Sequence, residues 1–153
     1  MKRLFALAVI FLATISQAQA AMVIWRGSFY ISGKSGTCTA YDPTGDTYNV
    51  RFVPRNVGTN GPDSRFSLFK DFYAQSFRLV NGSFSSTAKT VQFASIWDSV
   101  GSPGFSVKVQ FNTQSPTTIA ATTNFIHVQG VITNYDWMLG CSVNFRMSLN
   151  LAR

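Results

Sequence analysis

The sequence predicts an all-β domain, a single antiparallel β-sandwich or closed β-barrel of about 8–9 strands held by one disulfide. Three observations carry that expectation. Apolar and polar residues alternate with period two through much of the chain, between clusters of Gly, Pro, Asn and Asp. All 6 acidic residues are Asp, so the helix former Glu is missing, while Phe contributes 14 residues and fits a half-buried pleated surface. The only cysteines are Cys38 and Cys141, and an even pair in an exported chain reads as a disulfide, not as a metal or redox site.

Export is read from residues 1–20. Lys2 and Arg3 precede an apolar run from Leu4 to Ile15, and Ala18-Gln19-Ala20 ends the segment with the small residues that signal peptidase prefers. The run is about 12 residues, short of the roughly 20 that span hydrocarbon, so cleavage after Ala20 is expected. Residues 21–153 then form a single β domain, large enough to bury one core. Position 21 is Ala, not the Cys that a lipoprotein would acylate. The expected location is periplasmic or extracellular.

A first strand is predicted where Val23, Trp25, Phe29 and Ile31 alternate, and a second near 36–41. Asp42-Pro43-Thr44-Gly45-Asp46 reads as a tight turn leading to a third strand through Tyr48, Val50 and Phe52. Residues 54–64 are the longest turn-rich stretch and are expected to be an exposed loop. Further strands are predicted near 65–72, 74–80 and 88–97, with a turn at Asn81-Gly82-Ser83. Phe105, Val107, Val109 and Phe111 mark another strand, flanked by loops at 99–104 and 112–116. The next runs over 117–133, with Gly130 as a bulge or bend. The last is the clearest: Cys141, Val143, Phe145, Met147, Leu149 and Leu151 share one face, and Ser142, Asn144, Arg146, Ser148 and Asn150 the other. A Cys38–Cys141 bridge, with 102 residues between its ends, would tie the first hairpin to this last strand.

Chemistry-bearing constellations are sparse. His127 is the only histidine and reads as satisfied within the sheet or facing solvent, so no catalytic residue is assigned. The aspartates lie mostly in or beside turns with no carboxylate pair in the spacing. Asp42 and Asp46 supply fewer carboxylates than a Ca²⁺ loop uses, so no metal and no cofactor is expected. Trp25 and Trp97 share faces with Phe29 and Phe93 and read as core. Tyr135 and Trp137 differ, because Asn134-Tyr-Asp-Trp-Met-Leu-Gly140 connects the last two strands, where exposure is expected. They form either an exposed aromatic platform or a plug over one end of the domain, and they are the candidate binding residues.

After cleavage, 13 basic residues less Lys2 and Arg3 leaves 11, against 6 acidic ones, for a net charge of +5. Arg51, Arg55, Arg65, Lys70 and Arg78 concentrate in the middle third and would attract anionic partners such as lipopolysaccharide or other envelope polymers. No nucleic-acid fingerprint accompanies them. The expected function is an exported, non-enzymatic binding or structural module of the bacterial envelope, with polysaccharide or an anionic envelope component as partner. An adhesin or fibre subunit is the alternative: the final alternation resembles the last strand of chaperone-usher pilins, although Ala152 stands where those carry an aromatic residue. A small outer-membrane barrel is third, and no stable membrane insertion is expected, since stretches such as 87–95 are too mixed for a lipid-facing band.

Overall fold

The computed structural model describes residues 22–54, 57, 64–71, 73–79, 91–96 and 107–152. The expected signal peptide, Arg55, Trp97, the turn at 81–83, the loop at 99–104 and most of the 54–64 loop lie outside the described residues. Within them the chain is all-β. Eight strands occur: β1 (Ile24–Gly36), β2 (Thr47–Val53), β3 (Ser64–Lys70), β4 (Tyr73–Leu79), β5 (Val91–Ile96), β6 (Lys108–Ser115), β7 (Phe125–Thr133) and β8 (Cys141–Ala152). They form one sheet, in the order β5-β4-β3-β2-β1-β8-β7-β6, and its pairings are antiparallel.

The sheet is a meander that pairs its first strand with its last and curls into a half-barrel around one core. Inward positions follow the alternation in the sequence. Trp25, Phe29 and Ile31 of β1 are buried, as are Tyr48, Val50 and Phe52 of β2 and Val143, Phe145, Met147 and Leu149 of β8. Rings fill the interior: Phe29 stacks on Phe145 with centroids 4.8 Å apart and Phe66 on Phe77 at 4.5 Å, while Phe111 meets both Phe66 and Phe145 edge-on. Each such pair contributes about 0.5–1.5 kcal/mol beyond the area it buries. Outward positions are mostly polar, including Arg26, Ser28, Asn49, Arg51, Asn144, Arg146 and Asn150, with Tyr30, Phe69 and Phe125 as exposed aromatic exceptions.

Several boundaries differ from expectation for identifiable reasons. Residues 37–41 are not a strand. Instead β1 continues beyond Ile31 through a bulge at Ser32, and its last residues pair with β8 alone. It ends at Gly36, whose φ of +74° and closeness to the Gly140 carbonyl leave no room for a Cβ. The 42–46 turn forms as predicted, with Gly45 at φ +93° and the Asp42 side chain accepting from the Thr44 N–H at 3.0 Å, but it leads from a loop into β2. β6 runs through the expected 112–116 turn, and the long 117–133 strand begins only at Phe125. The irregularity expected at Gly130 falls on its partner strand, where Asn112 bulges out between Phe111 and Thr113.

Connections alternate between the two ends of the curl. One end carries 37–46, the β3–β4 turn and 134–140. At the other, the 116–124 segment folds beneath the core: the Trp25 indole N–H donates to the Thr123 carbonyl at 2.7 Å, and the Leu151 N–H to Asn124 at 2.9 Å. The disulfide joins Cys38, in the loop after β1, to Cys141, the first residue of β8, with their Cα atoms 4.6 Å apart. It therefore staples a loop to the last strand, not a second strand to it.

Candidate functional site

The sequence leaves two readings open for the segment 134–140, an exposed platform or a plug, and the burial of its first aromatic residue separates them. Tyr135 is fully buried and its hydroxyl hydrogen-bonds that of Tyr48 on β2. Trp137 is half-buried against the same core. Tyr135 is therefore part of a plug, not of an exposed platform. The physical reason is local: a 3-10 turn over Tyr135–Trp137 with Asn134, Asp136 and Trp137 at φ of +56°, +49° and +59° turns the Tyr135 ring down into the open end of the curl. A positive φ at a tryptophan costs on the order of 1–3 kcal/mol. Burial of Tyr135 offsets it, and the Asn134 carboxamide oxygen accepting from the Gly140 N–H at 3.0 Å closes the turn.

Around the plug lies a small polar cluster. Lys70 bridges Asp46 at 2.6 Å and sits 5.5 Å above the Tyr48 ring, a cation–π arrangement. Tyr41 lies beside the Tyr48–Tyr135 pair, close enough for the three phenols to influence one another. Burial raises the pKa of both Tyr48 and Tyr41, because the phenolate would lose its water. These hydroxyls stay protonated at neutral pH and serve as hydrogen-bond partners. At the rim, the Lys34 ammonium and the Thr44 N–H hold the Asp42 carboxyl down to about 2. All four described aspartates, Asp42, Asp46, Asp71 and Asp136, belong to this end of the domain.

The second feature is on the outer wall. Arg26, Gly27, Asn49, Val50, Arg51 and Phe69 line a groove of about 610 Å³ across β1, β2 and β3. A neighbouring depression of about 400 Å³ shares Asn49 and Phe69 with it and continues past Ser28 and Thr47 to Lys70 and Asp71. The register explains the first groove. Arg26 pairs directly with Arg51, and Asn49 with Phe69, which is 41 % exposed. The remaining cross-strand neighbours of the two arginines are Asn150 and Ser67. Among the described residues no carboxylate lies within ion-pair distance of either guanidinium. Like charges placed directly opposite one another cost stability, so this juxtaposition is not explained by the fold.

His127 is also on the outer wall. Its Nδ1 lies 3.1 Å from Ser148 Oγ and its Nε2 3.4 Å from the Gln129 carboxamide. No carboxylate stands among these partners to orient the ring as a nucleophilic triad needs. No group of three or more His, Cys, Asp or Glu side chains that could hold a metal occurs among the described residues. No described helix is long and apolar enough to cross a membrane.

Of the residues singled out from sequence, Tyr135 and Trp137 meet at one end of the curl, and Arg51 lies at the outer groove. Arg65 is an exposed outward residue of β3, and Lys70 belongs to the polar cluster. Sequence reasoning did not find Arg26, Asn49 or Phe69 as a group. The retrievable signal was outward parity: each falls on the face opposite Trp25, Val50 and Leu68. Comparison with protein-family models, curated proteins and solved structures finds no match to this chain.

Proposed function

We propose that this chain is an exported, non-enzymatic binding module of the bacterial envelope, built as an up-and-down β-barrel whose ligand-facing surface is the outer wall of β1–β3. Barrel closure is supported by connectivity: β5 and β6 are the two sheet edges, yet residues 97–107 alone join them, so the edges are tethered to each other. The observation that carries the binding reading is the contrast between a ring-filled interior and a groove outside it that holds two arginines with no carboxylate partner among the described residues. A barrel with a filled core has no inner cup for a ligand. Among the described residues the groove's lining holds no carboxylate pair and no histidine, which favours binding over hydrolysis.

The outer wall also argues against the membrane-barrel alternative. Transmembrane barrels turn apolar side chains to lipid, whereas Arg26, Asn49, Arg51, Asn144 and Arg146 point outward here. Export is supported by the leader-like residues 1–20 and by the disulfide.

The test is to express the whole chain in a bacterium, fractionate the cells, and pass the purified product over immobilised lipopolysaccharide. The expected result is a soluble, monomeric periplasmic or secreted protein that starts at Ala21 and is retained on the column. Recovery only in detergent extracts of the outer membrane overturns the reading in favour of the membrane barrel, and assembly into filaments in favour of the fibre subunit. Elution in the flow-through removes the binding role.

A further inference from the structure

Resting on that reading, we infer that the outer groove of β1–β3 is an acidic-glycan site, in which Arg26 and Arg51 take a sugar-borne carboxylate or phosphate and Phe69 stacks on a sugar ring. The argument begins with charge. Arg26 and Arg51 are directly opposed on neighbouring strands, which places their Cβ atoms about 4.5–5.5 Å apart. Two guanidiniums at that spacing, with no carboxylate partner among the described residues, present converging donors suited to a single oxyanion. An anion seated between them removes the repulsion that the pairing otherwise leaves.

The rest of the groove favours a sugar over a bare anion or a lipid. Phe69 is exposed and lines both the basic depression and the neighbouring one, so its ring is accessible from the groove. The second depression is lined by Ser28, Thr47 and Asn49, whose hydroxyl and carboxamide groups suit hydroxyl partners. Asp71 lies at the far end, which gives the groove a direction: the acidic sugar belongs at Arg26 and Arg51, and neutral sugars belong toward Asp71.

Isothermal titration calorimetry on the exported protein tests this with three probes, a galacturonic acid trimer, a phosphorylated maltotriose and plain maltotriose. The first two separate a carboxylate from a phosphate as the recognised group. At least one acidic probe should bind at least tenfold more tightly than maltotriose. Arg26→Gln and Arg51→Gln should each weaken it at least tenfold, and Phe69→Ser should weaken acidic and neutral probes together. Arg146→Gln, an equal charge change elsewhere on the outer wall, should leave affinity within twofold, with thermal melts confirming that every variant is folded. The proposal is overturned if neither acidic probe binds, if maltotriose binds equally well, or if Arg146→Gln matches the groove variants. Binding only to phosphatidylglycerol vesicles overturns it too, in favour of a lipid surface. Retention on immobilised lipopolysaccharide can persist through any of these failures, in which case the module binds but reads another chemistry.

Discussion

The hydroxyls of Tyr48 and Tyr135 share a hydrogen bond across 87 residues of sequence, joining the middle of the first hairpin to the connection before the last strand. This contact turns a segment with surface composition into part of the core. It also ties the 134–140 plug to the same strand, β2, that carries Asn49 and Arg51 on its other face.

Truncating the plug should therefore cost stability and not only a surface contact. Tyr135→Ala is expected to lose about 3–5 kcal/mol, the range for large buried aromatics. Tyr135→Phe keeps the ring and should lose only about 1 kcal/mol, because the Tyr48 hydroxyl still has Asp46 at 3.3 Å. Trp137→Ala, at a half-buried position, should fall between them. Urea unfolding of the three variants measures the order. A loss for Tyr135→Ala no larger than that of an ordinary surface substitution would show that the ring is not packed.

Alkali should weaken the fold through the same cluster. Burial raises the pKa of Tyr48 and Tyr41 above the ordinary phenol value of about 10, so the folded state keeps protons that the unfolded chain releases. The hydrogen bond to Asp46 raises the Lys70 pKa, which acts in the same direction. Stability is then fully present below about pH 10 and declines as pH rises beyond it. Tyr48→Phe should make that decline shallower without abolishing it. Unfolding midpoints measured in steps from neutral to strongly alkaline pH check the slope, and an unchanged slope in Tyr48→Phe counts against the assignment.

The disulfide closes a loop with a sequence separation of 103. In the chain-entropy account a loop of that size is worth on the order of 4–5 kcal/mol. β1 and β8 already pair over their length, and Gly36 faces Cys141 directly, so the bridge constrains the unfolded chain more than it shapes the native one. Cys38→Ser with Cys141→Ser should fold to the same sheet with a markedly lower melting temperature. Circular dichroism gives the first and calorimetry the second.

How much of this was legible in the sequence depended on whether a feature was local. The alternation from Cys141 to Leu151 is a one-strand property, and its inward face is buried as far as Leu149. Trp25 likewise declared its burial by sharing parity with Phe29. The end of β1 was not readable, because Ser-Gly-Lys-Ser-Gly after Ile31 looks like a turn until β8 is present to pair with it. Tyr135 was ambiguous because its burial depends on Tyr48, which is distant in sequence. The outer groove was invisible for a similar reason. Nothing near Arg26 announces that strand register will place Arg51 beside it, or that Phe69 will pair with Asn49.

Two glycines hold strands closer than any side chain would permit, and they give the sharpest test of the register. A Cβ on Gly130 would lie 2.3 Å from the Gln110 carbonyl oxygen and 2.7 Å from the edge of the Phe145 ring. That ring covers Gly130 from the neighbouring strand and stacks on Phe29, so it cannot withdraw without opening the core. A Cβ on Gly27 would lie 1.9 Å from the Ser148 carbonyl oxygen, which is backbone in the central β1–β8 ladder. Overpacking of a filled site costs about 1–3 kcal/mol. Gly130→Ala should fall in that range and Gly27→Ala at its upper end or beyond, since a backbone carbonyl yields less than a ring. Gly45→Ala meets no neighbour within 4 Å and pays only for its φ of +93°, so it should be the mildest of the three. Denaturant midpoints measure the order, and a Gly27→Ala protein as stable as the native one would mean that β1 and β8 are not paired in this register.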